Sequence, residues 1–161
     1  MAAQTGRTVS KWVDFIVDDS GGTLRSIPVS SINGLGLNYE EKDLTAFQDA
    51  IKGVLLGQPD CAIEITGPFD TTAAQAAGTL SGSHTVLSAI VGGSTPLSLD
   101  VQIGMRHAWE SGEPQFGITS SAANGFLCAN YNVDIGAGTY SARFVMFPGS
   151  AAPAWGTAAE S

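Results

Sequence analysis

The sequence predicts a mainly β protein, a β-sandwich with one or two short helices and extended terminal arms, and three observations carry that prediction. Near the C-terminus, residues 126–135 and 140–147 read as two strands joined by Gly136-Ala137-Gly138. Near the N-terminus, residues 8–17 and 23–30 flank Asp18-Asp19-Ser20-Gly21-Gly22, and Asp and Gly tolerate the positive φ that tight hairpins demand. Between them, Leu97, Leu99, Val101, Ile103 and Met105 alternate with Ser98, Asp100 and Gln102, the period of two that marks a half-buried strand.

In chain order, residues 1–7 read as an N-terminal arm. In the first strand Val9, Lys11, Val13, Phe15 and Val17 share one face, the expected core side, and Trp12, Asp14 and Ile16 share the other. Leu24, Ile27 and Val29 continue the return strand, which Pro28 restricts to an edge or a bend. Residues 31–39 form an irregular further strand interrupted by Gly34 and Gly36. The charge cluster Glu40-Glu41-Lys42-Asp43 precedes Leu44, Phe47, Ile51 and Val54 at helical spacing; Thr45 with Gln48 fits a capping box. The segment 40–57 is therefore read as a short amphipathic helix or an ordered loop with apolar anchors. Residues 61–66 set Cys61, Ile63 and Ile65 against Ala62, Glu64 and Thr66. Residues 71–83 are loop, Ser83 is placed to cap a helix over 84–90, and Gly92-Gly93 ends it. Residues 106–125 form a long polar connection. Residues 148–161, with the lone Trp155, form a C-terminal arm whose removal is expected to spare folding and weaken subunit contacts.

The chain of 161 residues has the length of one domain. Charged residues are only 14% and Gly numbers 20, a composition suited to repeated subunit contacts, where each buried unpaired charge is costly; a turn-rich β protein also uses such residues. The net charge of −8 and the lack of a Lys/Arg run argue against direct nucleic-acid binding. Cys61 and Cys128 are expected as free thiols of a protein made in a reduced cytoplasm, with a bridge between neighbouring strands as the alternative. No secretory signal pattern opens the chain, and no apolar run approaches the ~20 residues that cross a bilayer.

Catalytic chemistry finds little support. His84 and His107 are the two histidines, and Ser83 beside His84 is adjacent in sequence and so cannot act with it as nucleophile and base. Gly78-Thr79-Leu80-Ser81-Gly82 lacks the glycine spacing of a nucleophile elbow. His107, Glu110 and Glu113 offer ligands for a metal-dependent hydrolase but stand in an expected loop without a second histidine. Trp109, Trp155 and Phe116 are the residues a glycan-binding module would use. Neither nucleotide-loop glycines nor paired carboxylates in a recognisable cleft emerge, and no cofactor or metal is expected.

The run Asp18-Asp19-Ser20-Gly21-Gly22-Thr23-Leu24-Arg25, then Ile32-Asn33-Gly34-Leu35, then Asp43-Leu44-Thr45-Ala46-Phe47, and later Ile65-Thr66-Gly67-Pro68-Phe69-Asp70, resembles the tail tube (major tail) proteins of long-tailed bacteriophages in motif and order over about residues 12–147. That resemblance implies a two-sheet sandwich of the tail tube type with a flanking helix, hexameric rings that stack into the tube, and DNA passing without specific binding. It makes the chain a non-enzymatic virion component whose partners are copies of itself and proteins such as the tape measure or head-tail connector. Segment 40–57 would be the protruding loop that reaches a neighbour. The assembly interface is expected at Leu44, Phe47, Ile51, Val54, Trp109 and Trp155, although the stripe in 44–54 is equally suited to the chain's own core. A capsid decoration or minor capsid (cement) protein of tail-tube-like fold is the alternative within virions.

Overall fold

The computed structural model describes residues 13–46, 50–51, 53–76, 79–104 and 112–157. Strands dominate: β1 (Val13–Asp18), β2 (Leu24–Ile27), β3 (Ser31–Asn33), β4 (Asn38–Asp43), β5 (Val54–Asp60), β6 (Ala62–Pro68), β7 (Leu99–Ile103), β8 (Pro114–Ile118), β9 (Phe126–Asp134), β10 (Thr139–Met146) and β11 (Ala154–Thr157), with one helix, α1 (Ser83–Ile90). A five-stranded sheet runs β11-β8-β7-β1-β2 and a four-stranded sheet β3-β6-β10-β9, while β4 and β5 pair only with each other. All these pairings are antiparallel.

The two larger sheets face each other across one apolar core. The first contributes Phe15, Val17, Ile27, Leu99, Val101 and Phe116; the second Ile63, Ile65, Phe126, Cys128, Ala142 and Phe144. Alternation puts these residues inward, because successive side chains in a strand point to opposite faces. The rings of Phe15 and Phe144 meet between the sheets with centroids 5.6 Å apart. Tyr140 is also buried, and its hydroxyl donates to Pro28 O at 2.7 Å, tying the end of β2 to the opposite sheet. Helix α1 adds Val86, Leu87 and Ile90 to the same core and lies against β9 and β2.

Both predicted hairpins are present. The turn after β1 is held by Asp19, whose Oδ1 accepts from the Gly21 and Thr23 amides and whose Oδ2 accepts from Arg25 Nε at 2.9 Å. These hydrogen bonds and the neighbouring cation outweigh the partial burial and hold the Asp19 carboxyl below its ordinary pKa. Strands β9 and β10 occupy the expected segments, with Gly138 at φ 66° closing their turn. Strand β2 stops at Ile27, before Pro28, at the edge of its sheet.

Several expectations are corrected. The irregular strand 31–39 is two strands in different sheets, β3 and the start of β4. Ser83 does not cap α1. Gly82 occupies the cap position, where a Cβ would lie 2.5 Å from Thr72 O, and Ser83 Oγ instead donates to Pro68 O and accepts from the Asp70 amide. The polar connection 106–125 contains β8, and the arm 148–161 contains β11, which pairs along β8. Strand β7 is covered on both sides, since Ser98 and Gln102 are buried along with Leu97, Leu99 and Val101. Cys61 and Cys128 are both buried and free; burial pushes the Cys128 thiol up to about 11. The N-terminal arm and residues 8–12 lie outside the described residues.

On β7, burial raises the pKa of Asp100, the hydrogen bond from Gln115 opposes the rise, and the nearby Asp18 carboxylate adds to it. A carboxyl with a raised folded-state pKa binds protons more tightly folded than unfolded, so its ionisation destabilises the fold as pH rises through the folded pKa. Asp100→Asn is therefore expected to raise the melting temperature at pH 7 and to lose that advantage as the pH falls well below the ordinary Asp pKa, toward about pH 2, where both states are protonated. Thermal unfolding across that range checks this; a variant less stable at pH 7 would mean that the Gln115 hydrogen bond outweighs desolvation.

Candidate assembly surface

The described residues of segment 40–57 belong to a β-hairpin of β4 and β5 and its connection, with no helical turn among them. The ladder pairs Asp43 with Val54, Lys42 with Leu55 and Glu41 with Leu56, with an irregularity between Tyr39 and Glu41. It continues into the connection through Leu44 N, which donates to Gly53 O at 2.9 Å. Thr45, read from sequence as a helix cap, spans the hairpin instead. Its hydroxyl accepts from the Gly53 amide at 2.8 Å and donates to Gly53 O, while its own amide donates to Asp43 Oδ1. Thr45 holds the Asp43 carboxyl below its usual pKa through side-chain and then backbone hydrogen bonding.

The register makes the hairpin two-sided in an unusual sense. Each apolar residue Val54, Leu55 and Leu56 lies opposite a charged residue of β4. The division is thus between strands rather than between faces: β4 carries Glu40, Glu41, Lys42 and Asp43, and β5 is uncharged from Val54 to Pro59. All of β4 and nearly all of β5 are exposed. Ile51 is 84% exposed, Leu44 62%, Leu56 58% and Leu55 52%. Single exposed apolar residues are ordinary, but a cluster of them on one element makes that element the candidate surface.

Of the expected interface residues, Leu44, Ile51 and Val54 share this hairpin, whereas Phe47 and Trp109 lie outside the described residues. Trp155 sits on β11 at the edge of the five-stranded sheet. It stands opposite Phe116, with ring centroids 5.0 Å apart, and remains 55% exposed. Leu55 extends the apolar stripe of the sequence, and the strand pairing sets Leu56 and Tyr39, which that stripe does not contain, on the same hairpin.

The chain is similar in structure to two components of tube-bearing particles. One is the cap of the anti-feeding prophage, its tube terminating cap, at 12% identity and a TM-score of 0.56, over 98% of this chain and 95% of that one. The other is the sheath/tube terminator of an extracellular contractile injection system, PVC, in the extended state, also at 12% identity and 0.56, over 96% and 99%. It shares their fold. At such identity the likeness speaks to architecture alone, and it extends over nearly the full length of both partners. No protein-family model and no curated protein matches the sequence.

The remaining surface offers little for chemistry. Ser83 and His84 face different partners, His84 Nδ1 lying 3.1 Å from the Tyr131 hydroxyl. His107 and Glu110 lie outside the described residues, Glu113 is buried, and no group of three metal-binding side chains occurs among the described residues. Phe116 is wholly buried, which removes it from any glycan-binding face. A shallow concavity of about 420 Å³ on the four-stranded sheet is lined by Ser30, Thr66, Asn132, Asp134, Thr139 and Ser141, among others. No helix of the described residues is long and apolar enough to cross a membrane.

Proposed function

We propose that this chain is a non-catalytic structural subunit of a phage-tail-like particle, forming a ring at the end of the tube. The observation that carries the reading is the β4–β5 hairpin, which pairs with neither sheet and exposes Val54, Leu55 and Leu56. An element of that kind gains stability by docking on another copy, as the expected interface at Leu44 and Ile51 requires. The sandwich shared with two tube terminators over nearly their full length supports the terminal position. Its other partners are then neighbouring tube and tail proteins, in a virion or an extracellular particle.

The outer face of the four-stranded sheet suits the wall of a passage. It presents Thr66, Ser141 and Asn132 in one row and Glu64, Arg143 and Asn130 in the next. Its single cation, Arg143, lies 3.7 Å from Glu64, so no unpaired basic patch would hold a DNA backbone.

A second reading is the stacked tube subunit itself, which the motif order from Asp18 to Asp70 favours. The cement-protein alternative loses its main support, because residues 154–157 of the supposed clamping arm are built into the sheet. Electron microscopy with analytical ultracentrifugation tests the assignment. Rings that do not stack are expected; long hollow tubes would select the second reading, and monomers at all concentrations would refute both. The double substitution L55D/L56D is expected to abolish ring formation while the far-UV circular dichroism and melting of the monomer stay unchanged, since neither side chain is in the core.

A further inference from the structure

The edges of the sheets identify what receives the hairpin, an inference that rests on the ring-forming role proposed above. The five-stranded sheet ends in β11 and β2, the four-stranded sheet in β3 and β9. The edge of β2 is occupied: Ser26 O accepts from Ser81 N at 2.7 Å, and Ser26 bridges to Leu80. Strand β3 is only three residues long. Strand β9 meets Gly92 N at Cys128 O, and beyond that point its outward side chains are Asn130, Asn132 and the acidic Asp134.

Strand β11 differs from all three. Its sequence, Ala154-Trp155-Gly156-Thr157, is uncharged and exposed at every residue. A Cβ built on Gly156 meets nothing within 4 Å. Natural edge strands are usually guarded by charge, proline or a bulge; among the described residues of this edge the guard is Pro153, just before the strand. Strand β5 is the matching edge on the hairpin: uncharged over Val54-Leu55-Leu56-Gly57-Gln58, with Pro59 limiting the pairing at one end. Between copies that each carry a net charge of −8, two uncharged edges are where backbones approach without repulsion.

We propose that β5 of one copy adds edge-on to β11 of the next copy, extending the neighbour's five-stranded sheet by the hairpin. Side chains alternate along a strand, so in either register one of Leu55 and Leu56 falls on the side of Trp155 and covers its exposed ring. The charged strand β4 is then left facing solvent.

The test is disulfide trapping in the assembled full-length protein. L55C/G156C and L56C/G156C are oxidised, with K42C/G156C as control; Cys61 and Cys128 are each 1% exposed and give little background. A ladder of covalently linked copies is expected from at least one of the first two and not from the control. Gly156→Lys, which the open space around Gly156 accommodates, is expected to abolish rings while the monomer stays folded. If L55D/L56D abolishes rings but no ladder forms and G156K assembles as the parent does, the β11 acceptor is wrong and the ring-forming role stands. If neither L55D/L56D nor G156K alters assembly, both fall.

Discussion

Phe144→Ala is expected to lower the stability of the monomer by about 3–5 kcal/mol, the range for a fully buried aromatic residue cut to Ala. Phe144 has no exposed surface, lies opposite Cys128 on one side and Ile63 on the other, and meets the Phe15 ring at 5.6 Å. It is one of the few side chains that bridge the two sheets by direct ring contact, so its loss removes apolar burial and leaves a void between rigid layers that cannot collapse into it. At roughly 2–4 °C per kcal/mol for a protein of this length, the melting temperature falls by on the order of 10 °C or more. Phe144→Leu, which keeps most of the volume, is expected to recover most of the loss. If Phe144→Ala melted within a degree or two of the parent, the two sheets would not share the core described here.

How much of this architecture was legible follows from the range of the forces involved. The hairpins β1–β2 and β9–β10 could be read because their turn residues, Asp19 with Gly21 and Gly22, and Gly138, act locally. The inward residues of β6 could be read because burial on one face leaves a period of two. Helix α1 could be read from Val86, Leu87 and Ile90, although its start was misassigned: the Ser83 hydroxyl bonds to Pro68 O, a partner brought near by tertiary structure alone. The hairpin β4–β5 was misread for a related reason. Leu44, Ile51 and Val54 happen to fall on a helical period, but a hairpin that pairs with neither larger sheet and is exposed along both strands is under little pressure to show a buried face, so its periodicity says little about its structure. Strand β8 was hidden by its sequence, Pro114-Gln115-Phe116-Gly117-Ile118. Its Gly117 lies where a Cβ would come within 2.0 Å of Leu99 O, a long-range constraint that no local pattern expresses. The segment expected to carry the interface is legible as a region and not in its conformation: Leu44, Ile51, Val54 and Leu55 fall on one helical stripe, whereas Leu56 on β5 lies off it.

Removal of residues 148–161 is expected to destabilise the monomer, contrary to what the composition of that segment implies. Its strand β11 covers one whole edge of β8, pairing Trp155 with Phe116 and Gly156 with Gln115. Trp155→Ala alone is expected to cost roughly 1–2 kcal/mol, from partial apolar burial and an aromatic pair of about 0.5–1.5 kcal/mol. Truncation after Phe147 should cost more, because it also removes the ladder and the close of the neighbouring turn, where Ser150 Oγ accepts from Gly125 N and Ala151 N donates to Asn124 Oδ1. Hydrogen exchange separates this from a merely appended arm. In the truncated protein β8 becomes the edge strand, so its outward amides over residues 114–118 should lose protection while those of β10, in the other sheet, keep it. Equal protection in both proteins would mean that β11 does not pair with β8 in solution, and the acceptor edge proposed for the hairpin would go with it. Loss of protection on β8 together with aggregation, the known hazard of an uncovered edge, would instead identify β11 as the element that keeps this sheet closed until another copy's hairpin is added to it.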